Sequence, residues 1–149
     1  MKAALVVGTP VTLDALSIPQ PFSWAIANGF CPLVNRGDTA PTGKRFLIHA
    51  GKKERDELIA PVLGWIADAT MIPIGDLRAR YAAERGLGAI VGAATIRSIV
   101  RIYPKPWWRG PFAYVVEDAK PCQPITFRGR PGFFPAAIEW HDLAPRPGK

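Results

Sequence analysis

Short runs of alternating or continuous apolar residues, broken by Pro and Gly, dominate this chain, and two stretches carry helical spacing instead. Residues 3–7 are apolar and stop at Gly8-Thr9-Pro10, which suits an edge strand or a docked arm. Residues 15–18 read as a short strand. Pro21 suits the first turn of a helix, where its missing N–H is not needed. Phe22, Trp24, Ala25 and Ile26 follow, so the pattern predicts a buried helix over 21–28 with Gly29 as its C-cap. Residues 30–35 contain Pro32 and read as an edge strand. Residues 37–44 are a loop by composition, and 45–50 a core strand.

From 52 to 68, Leu58, Ile59, Val62, Leu63 and Ile66 recur at helical spacing, with Pro61 expected to kink or split the helix. A further helix is expected over 73–86, with Asp76 as N-cap, Arg78, Arg80 and Arg85 on its polar side, and Gly86 as its stop. Residues 88–100 form the longest strand-like run, bent or closely packed at Gly92-Ala93-Ala94. Residues 101–111 are a loop rich in basic and aromatic side chains. Strands follow at 112–117 and 124–127; after Gly129 come RPGFF and then a Pro-rich tail with basic residues. The order predicts an α+β fold: a small mixed β-barrel of about six strands with two to three helices packed around it.

Composition narrows the class. At 149 residues, with 48% hydrophobic and 21% charged content, the chain suits one domain with a real core. No apolar stretch is long enough to span a bilayer, and residues 1–10 carry no signal-peptide pattern, so a cytoplasmic protein without a membrane partner is expected. Two cysteines, Cys31 and Cys122, and two histidines, His49 and His141, match no disulfide framework and no zinc spacing. No metal or cofactor is expected. The net charge of +7 points instead to a polyanionic partner.

The basic residues fall in clusters. Lys44, Arg45, Lys52, Lys53 and Arg55 flank the apolar run FLIH. Lys52 and Lys53, read as the start of a helix, would oppose its dipole, which suggests a use other than stability. Arg97, Arg101, Lys105 and Arg109 are interleaved with Tyr103, Trp107 and Trp108, the ingredients for stacking bases and holding phosphates of single-stranded nucleic acid. Tyr114 follows on the next strand. Arg128 and Arg130 flank Gly129 as a third, smaller patch. His49, at the end of an apolar strand, reads first as a satisfied core histidine. Phe22 and Trp24 read as core.

Catalytic motifs are scarce. The chain has no GxSxG, HExxH or P-loop. Cys31 precedes Pro32 in apolar surroundings and reads as buried, not activated. His49, Lys52 and Glu117 are the residues that could supply an acid–base set.

The order LSIPQP-F-SWAIANG, then NRG, then GKRFLIHAGKK resembles the ASCH domain (activating signal cointegrator homology) of the PUA-like superfamily. Leu16, Ser17, Gln20, Pro21, Gly29, Asn35, Arg36, Leu47, Ile48, His49 and Ala50 carry the resemblance. GAIVGAATI, WWRGPFAYVVEDAKP and GRPGFF extend it, so that the resemblance covers a domain core of about residues 13–135. It implies a small β-barrel with a cleft between barrel and helices, proposed in that family to bind RNA or other nucleic acid. It also implies Gln20, Arg36, Lys44 and His49 as cleft residues. Some members hydrolyse N4-acetylcytidine with a Lys, a Thr and a Glu, and one is a ribonuclease. Here the Lys and Thr positions fall on Cys31 and Val34, so that amidohydrolase chemistry does not carry over.

The leading expectation is therefore a nucleic-acid-binding domain for RNA or single strands. Its contacts would come from Gln20, Arg36, Lys44, Arg45, His49, Lys52, Lys53, Arg101, Lys105, Trp107, Trp108, Arg109 and Tyr114. The alternatives are a ribonuclease or modified-nucleoside hydrolase with a non-standard catalytic set, and an adaptor domain with a protein partner.

Overall fold

A computed structural model describes residues 10–139. The 3–7 run, His141 and the end of the basic tail lie outside the described residues. Six strands and three helices follow in the order β1 (Pro10–Gln20), α1 (Phe22–Ala27), β2 (Leu33–Arg36), β3 (Arg45–Glu54), α2 (Asp56–Thr70), α3 (Ile74–Glu84), β4 (Ala89–Val100), β5 (Phe112–Thr126) and β6 (Phe133–Glu139). The strands form one mixed sheet, β2-β5-β4-β3-β1-β6, in which only β1 and β3 run parallel. The α+β class expected from the element order is the class observed.

The sheet is not closed by hydrogen bonds, yet it curls strongly. β5 and β6 stand four places apart in the strand order, which in a flat sheet would separate them by about 19 Å. The rings of Tyr114 on β5 and Phe133 on β6 nevertheless stack with centroids 6.2 Å apart. Curling puts apolar residues on both faces. Along β3, Phe46, Ile48 and Ala50 join the larger core with the helices, whereas Leu47 joins a smaller core with Ala15, Ile90 and Phe134. This is the period of two expected of a strand covered on each side.

Several boundaries differ from the sequence reading, each for a tertiary reason. The 15–18 strand extends to Pro10–Gln20 because both its edges are paired, to β3 and to β6. Lys52 and Lys53 continue β3 rather than starting a helix: β1 pairs as far as Gln20 opposite Glu54, and the Arg55 N–H donates to the Gln20 carbonyl at 2.7 Å. The dipole argument for these two lysines therefore falls away. α2 runs unbroken through Pro61, which lies on its exposed side. α3 begins after Pro73 with no side-chain cap, and Asp76 sits in its first turn instead of capping it.

The two strands expected at 112–117 and 124–127 are one, β5. It survives Pro121 and Pro124 because β2 covers only its first residues, leaving the rest as an edge that proline tolerates. Three residue steps from Glu117 to Lys120 face two on β4, and Asp118 adopts φ 52 at this bulge. The end of RPGFF and the start of the tail form β6, paired antiparallel with β1. No helix among the described residues is long and apolar enough to cross a membrane.

Candidate functional site

Between the curled sheet and helices α1 and α2 lies a cleft of about 320 Å³. Its floor is apolar, from Phe22 and Ile26 of α1, Leu33 and Val34 of β2, and Leu58 of α2. Arg36, Arg55 and Arg109 stand in its wall with Asn35, and no carboxylate lines it. Three distant parts of the chain thus meet here: the end of β2, the start of α2 and the 101–111 loop.

Each arginine is positioned differently. Arg36 donates from Nε and Nη2 to the two carboxylate oxygens of Asp38, both at 3.1 Å. The Tyr114 hydroxyl donates to the same carboxylate at 2.7 Å. The Arg36 hydrogen bond, then that of Tyr114, holds the Asp38 carboxyl below the usual carboxylate range. In return Arg36 is pushed up, first by its bond to Asp38. Burial and then the Asp38 bond push the Tyr114 hydroxyl up to about 12. The guanidinium of Arg36 is therefore fixed as a planar fork at the cleft, with Nη1 outside the pair. Arg55 pairs with Glu57 at 2.9 Å. Arg109 lies over the Trp65 ring, 5.2 Å from its centroid, and donates to the carbonyls of Pro106 and Trp108.

Asn35 binds the loop to β2. Its Nδ2 donates to the Trp107 carbonyl at 3.0 Å, and its Oδ1 accepts from the Arg109 N–H at 2.8 Å and the Gly110 N–H at 3.1 Å. Trp107 packs edge-on against Trp65 of α2, centroids 5.4 Å apart. Two clusters far apart in sequence, Asn35-Arg36 and Trp107-Arg109, are thus one wall.

The other expected contacts fall elsewhere. Gln20 is fully buried: its Oε1 accepts from the Trp24 N–H at 2.8 Å and its Nε2 donates to the Arg85 carbonyl. It braces the α1 turn and α3, and it does not face the cleft. Tyr114 is fully buried against Phe133, so only its hydroxyl acts on the site, through Asp38. Lys44 pairs with Asp14 at 2.7 Å over the Phe133 ring, and Arg45 with Asp118 at 3.5 Å. They stand at the opposite end of β3 from Lys52 and Lys53, about 23 Å away at strand spacing. The first basic cluster is therefore two patches. Arg101 is exposed over Phe112, and Lys105 donates to the Trp108 carbonyl at 3.3 Å. Trp108 is half-buried in its loop.

His49 is buried and satisfied on both nitrogens. Its Nε2 lies 2.7 Å from the Phe127 carbonyl, which can only accept, so this nitrogen carries the proton. Nδ1 then accepts from the Ser17 hydroxyl at 2.8 Å. The Gly129 backbone closes over the ring: a Cβ there would lie 2.7 Å from Cε1 and 3.1 Å from Nδ1. Nor do His49, Lys52 and Glu117 converge. Glu117 pairs across β4 with the Arg45 end of β3, through Thr95, while Lys52 lies at the other end. The acid–base set read from the sequence is not assembled. Cys31 is buried, and desolvation pushes its thiol up to about 12. Among the described residues no group of three or more His, Cys, Asp or Glu side chains is placed to hold a metal ion.

Sequence reasoning missed Asn35 as the loop's clasp, Asp38 as the Arg36 anchor and Arg55 as a cleft residue. The signal for the first was present, since a polar Asn preceding Arg on a half-buried strand needs partners. Its partners lay too far along the chain to be named.

No family model matches the chain, and no curated protein matches it. Among solved structures it is similar to ASCH from Zymomonas mobilis, at 13% identity, covering 87% of this chain and 89% of that one, with a TM-score of 0.48. It is also similar to a mutant form of that protein, at 13% identity, covering 87% and 91%, with a TM-score of 0.46.

Proposed function

We propose that this domain binds single-stranded nucleic acid, RNA or DNA, by receiving an unstacked base in the cleft while arginines meet the adjoining phosphates. The observation that carries the reading is the cleft's composition. An apolar floor of Phe22, Ile26, Leu33, Val34 and Leu58 suits the flat face of a base. Arg109, and Arg36 and Arg55 although each is also paired with a carboxylate beside the cleft (Asp38 and Glu57), suit phosphate at its wall, and the lining itself holds no carboxylate. The chain's net charge of +7 favours encounter with such a strand. A duplex would keep its bases stacked and out of reach, so unpaired strands are favoured.

The reading is tested by titrating a labelled single-stranded oligonucleotide with the protein across a salt series, by fluorescence anisotropy. Three phosphate contacts predict a log–log salt slope of at least about 2 in magnitude, at ~0.7 per contact for single strands. Arg36→Ala and Arg109→Ala are each expected to weaken binding and flatten the slope. Absence of binding at low salt, or affinity indifferent to salt, would overturn the proposal.

A further inference from the structure

A second pocket, of about 570 Å³, opens on the far side of Ser17 from the cleft, and Ser17 lines both. Its character is different. Lys52, Thr126 and Arg128 line it together with the backbone of Gly51, Gly88 and Gly129. The cleft has an apolar floor; this pocket is lined by two cations, the hydroxyls of Ser17 and Thr126, His49, Phe127 and three glycines, and by no carboxylate. The bottom is made rigid by the Ser17–His49–Phe127 hydrogen-bond chain under Gly129.

The two cations are brought together from distant parts of the chain. Lys52 is near the end of β3 and Arg128 follows β5. Lys52 lies across Gly88, where an added Cβ would be 3.3 Å from its Cγ, so its alkyl stem is held toward the pocket. Elsewhere Arg36, Lys44, Arg45, Arg55, Arg85 and Lys120 each have an acidic partner. Among the described residues Lys52 and Arg128 have no ion-pair partner, which they share with Lys53, Arg101, Arg109 and Arg130; what sets them apart is that both line one pocket. Two like charges at one pocket without a counter-charge repel, and an anion seated between them relieves that repulsion.

We infer that this pocket is a phosphate subsite, which takes a phosphate group of the same strand whose base enters the cleft, Ser17 being the partition between base and phosphate. The inference rests on the reading of the cleft given above for the identity of the strand, while the preference for phosphate rests on the pocket alone. The Ser17 hydroxyl, committed to His49, serves as a wall and not as a nucleophile. Lys52 supplies a point charge and Arg128 a fork that can engage two phosphate oxygens.

The experiment compares the wild-type protein, the Lys52→Ala/Arg128→Ala double variant and a Lys53→Ala/Arg130→Ala control. The control loses the same charge from neighbouring positions that do not line the pocket. Each is titrated with the labelled single-stranded oligonucleotide across salt, and the wild type is separately titrated with pyrophosphate while the amide NMR signals of Gly88 and Gly129 are followed. All four residues are exposed, and circular dichroism checks that the variants fold. The pocket variant is expected to lower the salt slope by about 0.7, the share of one phosphate on a single strand, with a smaller change in the control. Pyrophosphate is expected to shift Gly88 and Gly129. Equal slopes in wild type and pocket variant overturn the subsite and leave the cleft reading intact. A variant and control that change equally also overturn it, because bulk charge then explains the effect. Pyrophosphate shifts without strand binding support the pocket as a phosphate site and overturn the cleft reading. Neither shifts nor strand binding overturns both.

Discussion

The carboxamide of Asn35 holds the Trp107 carbonyl at 3.0 Å, and through that bond a strand of the sheet sets the position of a loop more than seventy residues later. The same side chain accepts from the N–H groups of Arg109 and Gly110. One residue thus determines where Trp107 and Arg109 stand relative to Arg36.

Replacing Asn35 with Ala should release this loop. Three hydrogen bonds at a half-buried position predict a loss of about 1–3 kcal/mol, read as a lower urea midpoint at unchanged m-value. Strand binding should weaken as well, since Arg109 loses its placement. Binding equal to wild type would show that the loop keeps its position without the clasp.

The carboxylate of Glu54 makes stability sensitive to acid. Tyr81 donates to it at 2.5 Å and Arg85 at 2.7 Å, tying α3 to the end of β3. The Tyr81 hydrogen bond, with Arg85 as a further cause, lowers its pKa from the ordinary value of 4.5. A group depressed in the folded state contributes stability above its unfolded value and loses it as pH falls through the folded one. Thermal stability is therefore expected to decline below about pH 4.5 in wild type, and to decline less steeply in Glu54→Gln, as followed by circular dichroism melts. An identical acid limb in both proteins would exclude Glu54 as a contributor.

Two glycines should respond oppositely to alanine. At Gly92 on β4, a Cβ would lie 2.5 Å from the Lys120 carbonyl oxygen and 3.0 Å from the Ala27 Cβ. Backbone and core would both have to move, so Gly92→Ala should destabilise by about 1–3 kcal/mol. Gly64 lies inside α2 with open space around its Cα. There Gly64→Ala should stabilise by about 0.4–1 kcal/mol, because alanine has less freedom to lose on folding. Denaturant melts of the two variants check the pair, and a Gly92→Ala as stable as wild type would refute the close approach of β5 to β4.

Cys31 should resist thiol reagents in the native protein. Burial pushes its pKa up to about 12, so almost no thiolate exists at neutral pH. With an aromatic disulfide reagent, its labelling is expected only after denaturant is added, followed by peptide mapping. Prompt native labelling at Cys31 would show that the cover over β2 opens readily.

The sequence by itself determined the element types, the α+β order and the apolar identity of the core. Those properties follow from local periodicity: Leu58, Val62 and Ile66 mark α2, and Phe46, Ile48 and Ala50 mark the inner face of β3. It also marked the residues with binding chemistry, because charge and aromaticity are legible one residue at a time. Tertiary structure alone decided which of them share a site. Lys44 and Lys52 are close in sequence but lie at opposite ends of an extended strand, whereas Arg36 and Arg109 are distant in sequence and share one cleft. Gln20 and Tyr114 went inward because Trp24, Arg85 and Phe133 surround them, partners supplied by the curl of the sheet and the docking of α3. Local pattern encodes what each residue can do, and the long-range pairing of strands encodes what each residue meets.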